Sequence, residues 1–492
     1  MMVELPGKRG SCWVAGAGST GYSPLEGSIH AETVVVGGGI VGLTAALRLS
    51  EAGRSVILLE ALEIGGQVTG RSTAKITTQH ALIYRHLIDS LDLAKARSYA
   101  EANSAGAALI KDWIRDYAIA CDLERKHAYT YATSAEGREA IVAEAEAARQ
   151  VGLEAQVLDR APLPFETTAA LCFPDQAQFN PAKYLVGLAH AAADQGARLF
   201  EQSRAILIGE ASRWRVVTAG GTVHAEHVVV ATNMTVKSPV GMANRTQPRS
   251  HTAMAFRVDD PAAVDGMFIG IDDPTHSIRT GRDDTGPLLV VLGPKFDTGQ
   301  DGNVAARFIE LEEWARQNLA VGEVAWHWCN EDYDTADRVP YVGQPDPEKA
   351  PGFHIATGFN AWGISNGTAA GMMIADAILG RVSPWWSLYD PTRPYPKDFH
   401  KNGDSQSIVG SMRDIRPGEG GVVLRGDEKL AVCRDDDGTL RAVSASCTHK
   451  GCTVTWNNAD RTWDCPCHGS IFATDGSVIH GPARKPLAPA QL

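Results

Sequence analysis

The sequence contains no long hydrophobic run. Nothing in it approaches the roughly 18 consecutive apolar residues of a membrane helix, so no integral membrane span is expected. The N-terminus (MMVELPGKRG) has no apolar stretch behind its two basic residues, so export is not signalled and the expected compartment is the cytoplasm. Positive charge is also short: 46 Lys and Arg stand against 58 Asp and Glu, a net charge of −12. A role coating DNA or RNA is thereby excluded, because phosphate binding needs a basic surface. There is no internal repeat and no low-complexity tract. Proline is missing between Pro24 and Pro162, where alanine is dense. What remains is a chain of 492 residues, 44% hydrophobic and 21% charged, suited to two or three globular domains at roughly 150 residues each.

Residues 1–28 read as an extended, flexible arm. From Thr33 the pattern changes. Thr33-Val34-Val35-Val36 is a short buried-strand run, and the glycine-rich turn Gly37 to Gly42 follows. Val41 to Ala52 is helical with Gly53 as its C-terminal stop, and Arg54 to Glu60 is a second strand. This strand–turn–helix–strand order surrounds a G-x-G-x-x-G fingerprint. Gly37 makes the tight turn, Gly39 lets a pyrophosphate approach the backbone, and Gly42 lets helix and strand pack closely. Glu60 ends the second strand, where a carboxylate would hold ribose hydroxyls. Gly16 to Gly21 matches the same pattern with no strand before it and Pro24 behind it, so it reads as part of the arm.

Further on, 81–150 reads as mostly amphipathic helix, and Asn180-Pro181 opens another. Residues 248–333 alternate in the strand manner around one helix near 303–318. The proline-rich segment 384–405 reads as a linker. Residues 406–492 show short strands and turns with no convincing helix, the pattern of a small all-β domain. Nine cysteines are present, and four of them (447, 452, 465 and 467) fall close together. Cys447-Thr448-His449 and Cys465-Pro466-Cys467-His468 offer two thiolates and two imidazoles, a set that could hold zinc.

The fingerprint alone does not separate FAD from NAD. Three further stretches bear on it: Ile64 to Lys75, Asp337 to Gly343, and Gly358 to Gly367. In this order they resemble the D-amino-acid oxidase, glycine oxidase and sarcosine oxidase group of FAD-dependent amine oxidoreductases, over roughly residues 29–385. The resemblance implies that the 64–75 loop, with Thr69, Ser72 and Thr73, lies along the flavin. It also implies that the turn holding Gly358, Gly363 and Ile364 places backbone amides near the flavin pyrimidine end. Lys75 and His80 are candidate catalytic groups, because hydride leaves most readily from a neutral amine; a solvated lysine and a helix-capping histidine are the plainer alternatives. Trp326, His327, Trp328 and Tyr333 could wall a substrate pocket, Arg279 could bind a substrate carboxylate, and Cys329 could link to flavin or be a buried thiol.

The blocks from Cys447 to Cys452 and from Cys465 to Ser470 resemble the two cluster-binding loops of a Rieske protein, with Gly481-Pro482-Ala483 similar to its proline loop. The resemblance implies a [2Fe-2S] cluster, with Cys447 and Cys465 on one iron and His449 and His468 on the other. It further implies a disulfide between Cys452 and Cys467, as in respiratory members. Phe472 stands where those members have a tyrosine, which implies a lower reduction potential.

The expected fold is an α/β, Rossmann-like FAD domain (29–383) with a mixed-sheet substrate domain inserted at about 240–333. The linker 384–405 and an all-β Rieske domain (406–492) follow. The fused pair resembles bacterial flavoprotein oxidoreductases related to gamma-glutamylputrescine oxidase. That implies dehydrogenation of an amine or amino acid, with electrons passed singly through the cluster to a one-electron acceptor, either a protein or a quinone. Alternatives are a monooxygenase fed by a donor protein through the cluster, and a redox sensor.

Overall fold

The computed structural model describes residues 5–210, 213–236, 241–401, 403 and 408–491. Strand Gly27–Val36 lies at the centre of an eight-stranded sheet, parallel to Val56–Leu59 on one side and Gly221–Val230 on the other. Val34, Val35, Ile57 and Leu58 are fully buried. That is the environment of a parallel strand covered on both faces, and it explains the unbroken apolar runs. The strand starts at Gly27 rather than Thr33 because residues 27–31 also pair along Gly221–Val230. Helix Ile40–Glu51 connects the first two strands, and Gly53 follows it with φ +75°, ending it as expected.

A second, ten-stranded sheet stands beside the first. The expected insertion supplies Thr246–Arg257, Met267–Gly270, Ser277–Asp283, Gly286–Asp297 and Val324–Thr335. Residues outside it extend the sheet, chiefly Glu124–Ala132 and Ala169–Gln178, which pair antiparallel. Glu124–Ala132 interrupts the stretch read as mostly helix. Its Ala128 and Ala132, helix formers by composition, are instead buried in the sheet. Helices Ile83–Ser90, Leu93–Asp116 and Ala135–Gln150 account for most of the remainder.

The N-terminal arm is not loose. Lys8–Arg9 pairs with Trp326 and His327, and a helical turn follows at Cys12–Ala15. Trp13 is 1% exposed, and its indole N–H donates to Ser72 O at 2.9 Å. Burying one indole is worth on the order of 2–3 kcal/mol, enough to fix a short segment. Gly16 to Gly21 is coil with no helix after it.

The segment read as a linker is likewise strapped down. Tyr389 is fully buried and donates to Asn366 Oδ1 at 3.1 Å. Arg393 pairs with Asp337 through two nitrogens, and its guanidinium lies 3.8 Å from the Tyr341 ring centre. Beyond it, a three-stranded sheet (Gly420–Arg425, Glu428–Arg434, Leu440–Ser444) and a four-stranded sheet (Thr455–Asn457, Thr462–Asp464, Ile471–Phe472, Val478–His480) form the C-terminal all-β unit. Among the described residues of the chain, no helix is long and apolar enough to cross a membrane.

Candidate functional site

The glycine-rich turn is built by close approach. A Cβ on Gly42 would overlap Gly37 O, and one on Gly37, whose φ is +112°, would press on Ala231 O. Glu60 closes the turn from below: its Oε2 accepts from Gly38 N at 2.7 Å and its Oε1 from Leu62 N at 2.9 Å. Burial raises its pKa, and these amides oppose the rise.

Two adjoining cavities run from this turn. One, of 120 Å³, is lined by Gly37, Gly39, Glu60, Thr69 and Arg204, and by His480 and Gly481 from the C-terminal unit. The other, of 390 Å³, is lined by Gly39, Thr69, Ser72, Thr73, Lys75, His80, Gly363 and Ile364. They share Gly39, Val68, Thr69, Ala231 and Asn233, so together they form one trench of the kind a dinucleotide needs. Gly42 and Gly358 do not line it. They act as spacers instead: Gly358 has φ +79°, and a Cβ there would overlap Thr335 Cγ2. The donor set, the glycine turn and a carboxylate at the adenosine end fit FAD.

The chemistry-bearing residues in the larger cavity are only partly those expected. Lys75 is buried, not solvated, and donates to Phe268 O at 2.8 Å and Ser277 Oγ at 2.6 Å. Burial, aided by the Arg279 charge, pushes its pKa down to about 7. His80 caps no helix. Its Nδ1 is 2.7 Å from Tyr99 Oη, its Nε2 is 3.1 Å from Thr77 O, and its ring stacks on Trp362 at 4.6 Å. Burial lowers its pKa to about 3, so the ring is neutral. Asp332, which the sequence reading missed, also lines the cavity; burial raises its pKa to about 7, and Ala361 N donates to its Oδ2.

Arg279 does not reach the cavity. It donates to Thr73 O, Ala74 O and Phe179 O and lies 4.7 Å from the Trp13 ring, so it shapes the loop beneath the flavin position. Trp326, His327 and Trp328 pack against the arm and the 64–75 loop; for example, Trp328 Nε1 donates to Arg71 O. Cys329 is buried beside a separate cavity between the two units.

In the C-terminal unit the two loops converge. Cys447 and Cys465 are both buried, and their thiols act on each other so that the Cys447 pKa is lowered and that of Cys465 raised. The His449 and His468 rings lie 4.8 Å apart, and each Nδ1 is buried without a partner. Burial holds these imidazoles near pKa 4 and 3, in the neutral form that binds metal. Cys452 and Cys467 form a disulfide between the loops, with the Cys465 sulfur within 4.8 Å of both. A Cβ on Gly481 would overlap Gly469 O, so the proline loop packs directly on the second loop. Two thiols and two orphaned imidazole nitrogens on one side fit a [2Fe-2S] cluster of Rieske type. Cys452→Ser is expected to cost about 3 kcal/mol, the loop-closure value for a 15-residue separation. Chemical denaturation monitored at the cluster absorbance measures the loss, and unchanged stability would show the bond to be dispensable.

Strand Val324–Thr335 joins the two sites. Asn330 and Asp332 line the larger cavity. On the other face, Tyr333 Oη donates to His468 O at 3.3 Å, and Glu331 Oε2 lies 3.3 Å from His480 Nε2. Tyr333 O in turn accepts from Asn360 N at 3.1 Å, in the 358–367 turn. His400, from the strap, stacks on His468 at 4.7 Å.

Residues 32–377 match the family described as FAD dependent oxidoreductase, and residues 405–491 match the Rieske [2Fe-2S] domain. YhfW of Bacillus subtilis, named as a Rieske 2Fe-2S iron-sulfur protein, is 29% identical over 98% of this chain and 97% of its own length. Gamma-glutamylputrescine oxidoreductase of Escherichia coli is 24% identical, covering 77% of this chain and 92% of that protein. The crystal structure of glycine oxidase from Geobacillus kaustophilus superposes with a TM-score of 0.61 at 20% identity, over 75% of this chain and all of that one, and so shares the fold.

Proposed function

Because the chain belongs to the FAD-dependent oxidoreductase family and carries a C-terminal Rieske [2Fe-2S] domain, we propose that it dehydrogenates the C–N bond of an amine or amino acid and delivers the electrons singly to an external acceptor. In this reading residues 29–383 are the oxidising unit, 384–405 the linker and 406–492 the electron-transfer unit. One observation carries it: strand Val324–Thr335 presents Asp332 to the flavin cavity and Tyr333 to the loop of His468. When bound, FAD takes two electrons with a hydride and the Rieske cluster takes one at a time. Gly37, Gly39 and Glu60 hold the nucleotide end, with Gly42 letting the turn close. Thr69, Ser72, Thr73, Gly363 and Ile364 wall the ring end, with Gly358 setting the turn. Cys447, His449, Cys465 and His468 hold the iron. The names of related proteins, gamma-glutamylputrescine oxidoreductase among them, support an amine-type substrate.

Lys75 is assigned the substrate proton. An amine bound as ammonium has to lose a proton before hydride can leave, and a lysine with pKa about 7 can take it at neutral pH. His80, with both ring nitrogens engaged and a pKa near 3, is assigned a positioning role: it orients Trp362 and Tyr99. The base works unprotonated, so kcat/KM for flavin reduction should rise with pH through a limb near 7 and level off above it. Lys75→Met should erase that limb and lower kcat/KM by about 10²–10⁴-fold. Anaerobic stopped-flow bleaching of the flavin by an amine panel tests both the reaction and the assignment. A limb that survives in Lys75→Met would move the proton elsewhere, to Asp332 first.

A further inference from the structure

The two outer-iron histidines face different surroundings. His468 is 2% exposed, closed in by His400 and Tyr333. His449 is only half-buried and is flanked by the exposed residues Thr448 and Lys450. Electrons that arrive on the His468 side therefore have an outlet at His449, and the charge around that outlet is one-sided.

The chain as a whole carries −12, yet the two cluster loops and the proline loop carry no acidic residue. Between residues 444 and 459 the only charged side chain is Lys450, residues 465–474 have none, and residues 476–492 contribute only Arg484 and Lys485. Lys485 is exposed, and Thr448 Oγ1 donates to its carbonyl at 2.6 Å, tying the proline loop to the His449 loop. Lys450 Nζ and Arg484 Nη1 have neutral partners, Asn244 Oδ1 at 3.4 Å and Ile206 O at 2.8 Å. Among the described residues no carboxylate pairs with Lys450, Arg484 or Lys485. A basic rim at the exposed edge of a redox centre, on a chain that otherwise repels anions, concentrates field where an anionic partner would meet the electron donor.

We propose that the rim of Lys450, Arg484 and Lys485 around His449 is the docking surface for the external acceptor, and that this acceptor is an acidic one-electron redox protein. The proposal rests on the substrate-to-flavin-to-cluster reading for its direction. The acceptor gains one electron per encounter and no covalent bond forms, so two encounters discharge the two electrons that one C–N oxidation releases.

The test uses the full chain with its cluster reduced photochemically, so it does not depend on substrate or flavin turnover. The probes are two small oxidants of opposite sign, ferricyanide and hexaammineruthenium(III). Raising salt from about 0.01 M to about 1 M contracts the Debye length from about 30 Å to about 3 Å. Reoxidation by ferricyanide should then slow by about tenfold or more, while reoxidation by the cation should speed up. Lys450→Glu/Lys485→Glu should reverse both slopes with the cluster's electron paramagnetic resonance spectrum unchanged. A readout without electron transfer uses relaxation of that signal by lanthanide chelates: the anionic chelate should act more strongly on the wild type and the cationic one on the variant. Equal salt slopes for the two oxidants, or a variant that behaves as wild type, would overturn the proposal and leave a neutral acceptor such as a quinone. Failure of substrate to reduce the cluster would instead count against the function reading, with the rim untouched.

Discussion

His468→Ala is expected to yield protein that still binds FAD and is still bleached by substrate, but that no longer reduces a one-electron acceptor. The substitution removes an imidazole whose Nδ1 has no other partner, so the iron site loses a ligand outright. Loss of even an outer-shell partner costs about 10–100-fold in metal affinity, so the loss here should be at least about 100-fold. The flavin side is spared, because Tyr333 meets the backbone carbonyl of His468 rather than its ring. The measurements are flavin content, anaerobic flavin reduction and acceptor turnover on one preparation. Normal turnover in a variant with no Rieske signal would take the cluster off the electron path.

Gly42→Ala should have the opposite phenotype. The added Cβ would sit on Gly37 O, a backbone atom that cannot swing aside. Overpacking of this kind costs about 1–3 kcal/mol, which at 1.4 kcal/mol per decade is about 5- to 150-fold weaker flavin binding. Purified protein should lose its yellow flavin contribution and retain the Rieske signal, and substrate should leave that cluster oxidised. Flavin released by acid from wild type should run as FAD. A variant that keeps stoichiometric FAD would remove Gly42 from the turn's design.

The motifs that carried the reading are local in sequence: six residues of turn, a carboxylate at a strand end, and two short cysteine–histidine blocks. Their chemistry depends on spacing, and spacing is visible in one dimension. The parts that were missed depend on partners far along the chain. Glu124–Ala132 looks helical because of its alanines, and only pairing with Ala169–Gln178 makes it a strand. The arm and the strap look loose because they are rich in glycine or proline. One buried ring each, Trp13 and Tyr389, fixes them, and neither burial has a local signature. Arg279 reads as a carboxylate anchor until its donors are found on the carbonyls of Thr73, Ala74 and Phe179. The run Asn330-Glu331-Asp332-Tyr333 did hold a signal. Polar residues on both faces of a buried strand mean that neither face is ordinary core, and here one faces each cofactor site.

His480 and Gly481 form part of the wall of the cavity at the nucleotide end, so the oxidising unit's cofactor site is completed by the other unit. Those residues stand far along the chain from the glycine turn that begins the site. A change in the C-terminal unit that displaces His480 and Gly481 would therefore loosen the nucleotide without touching a residue of the oxidising unit.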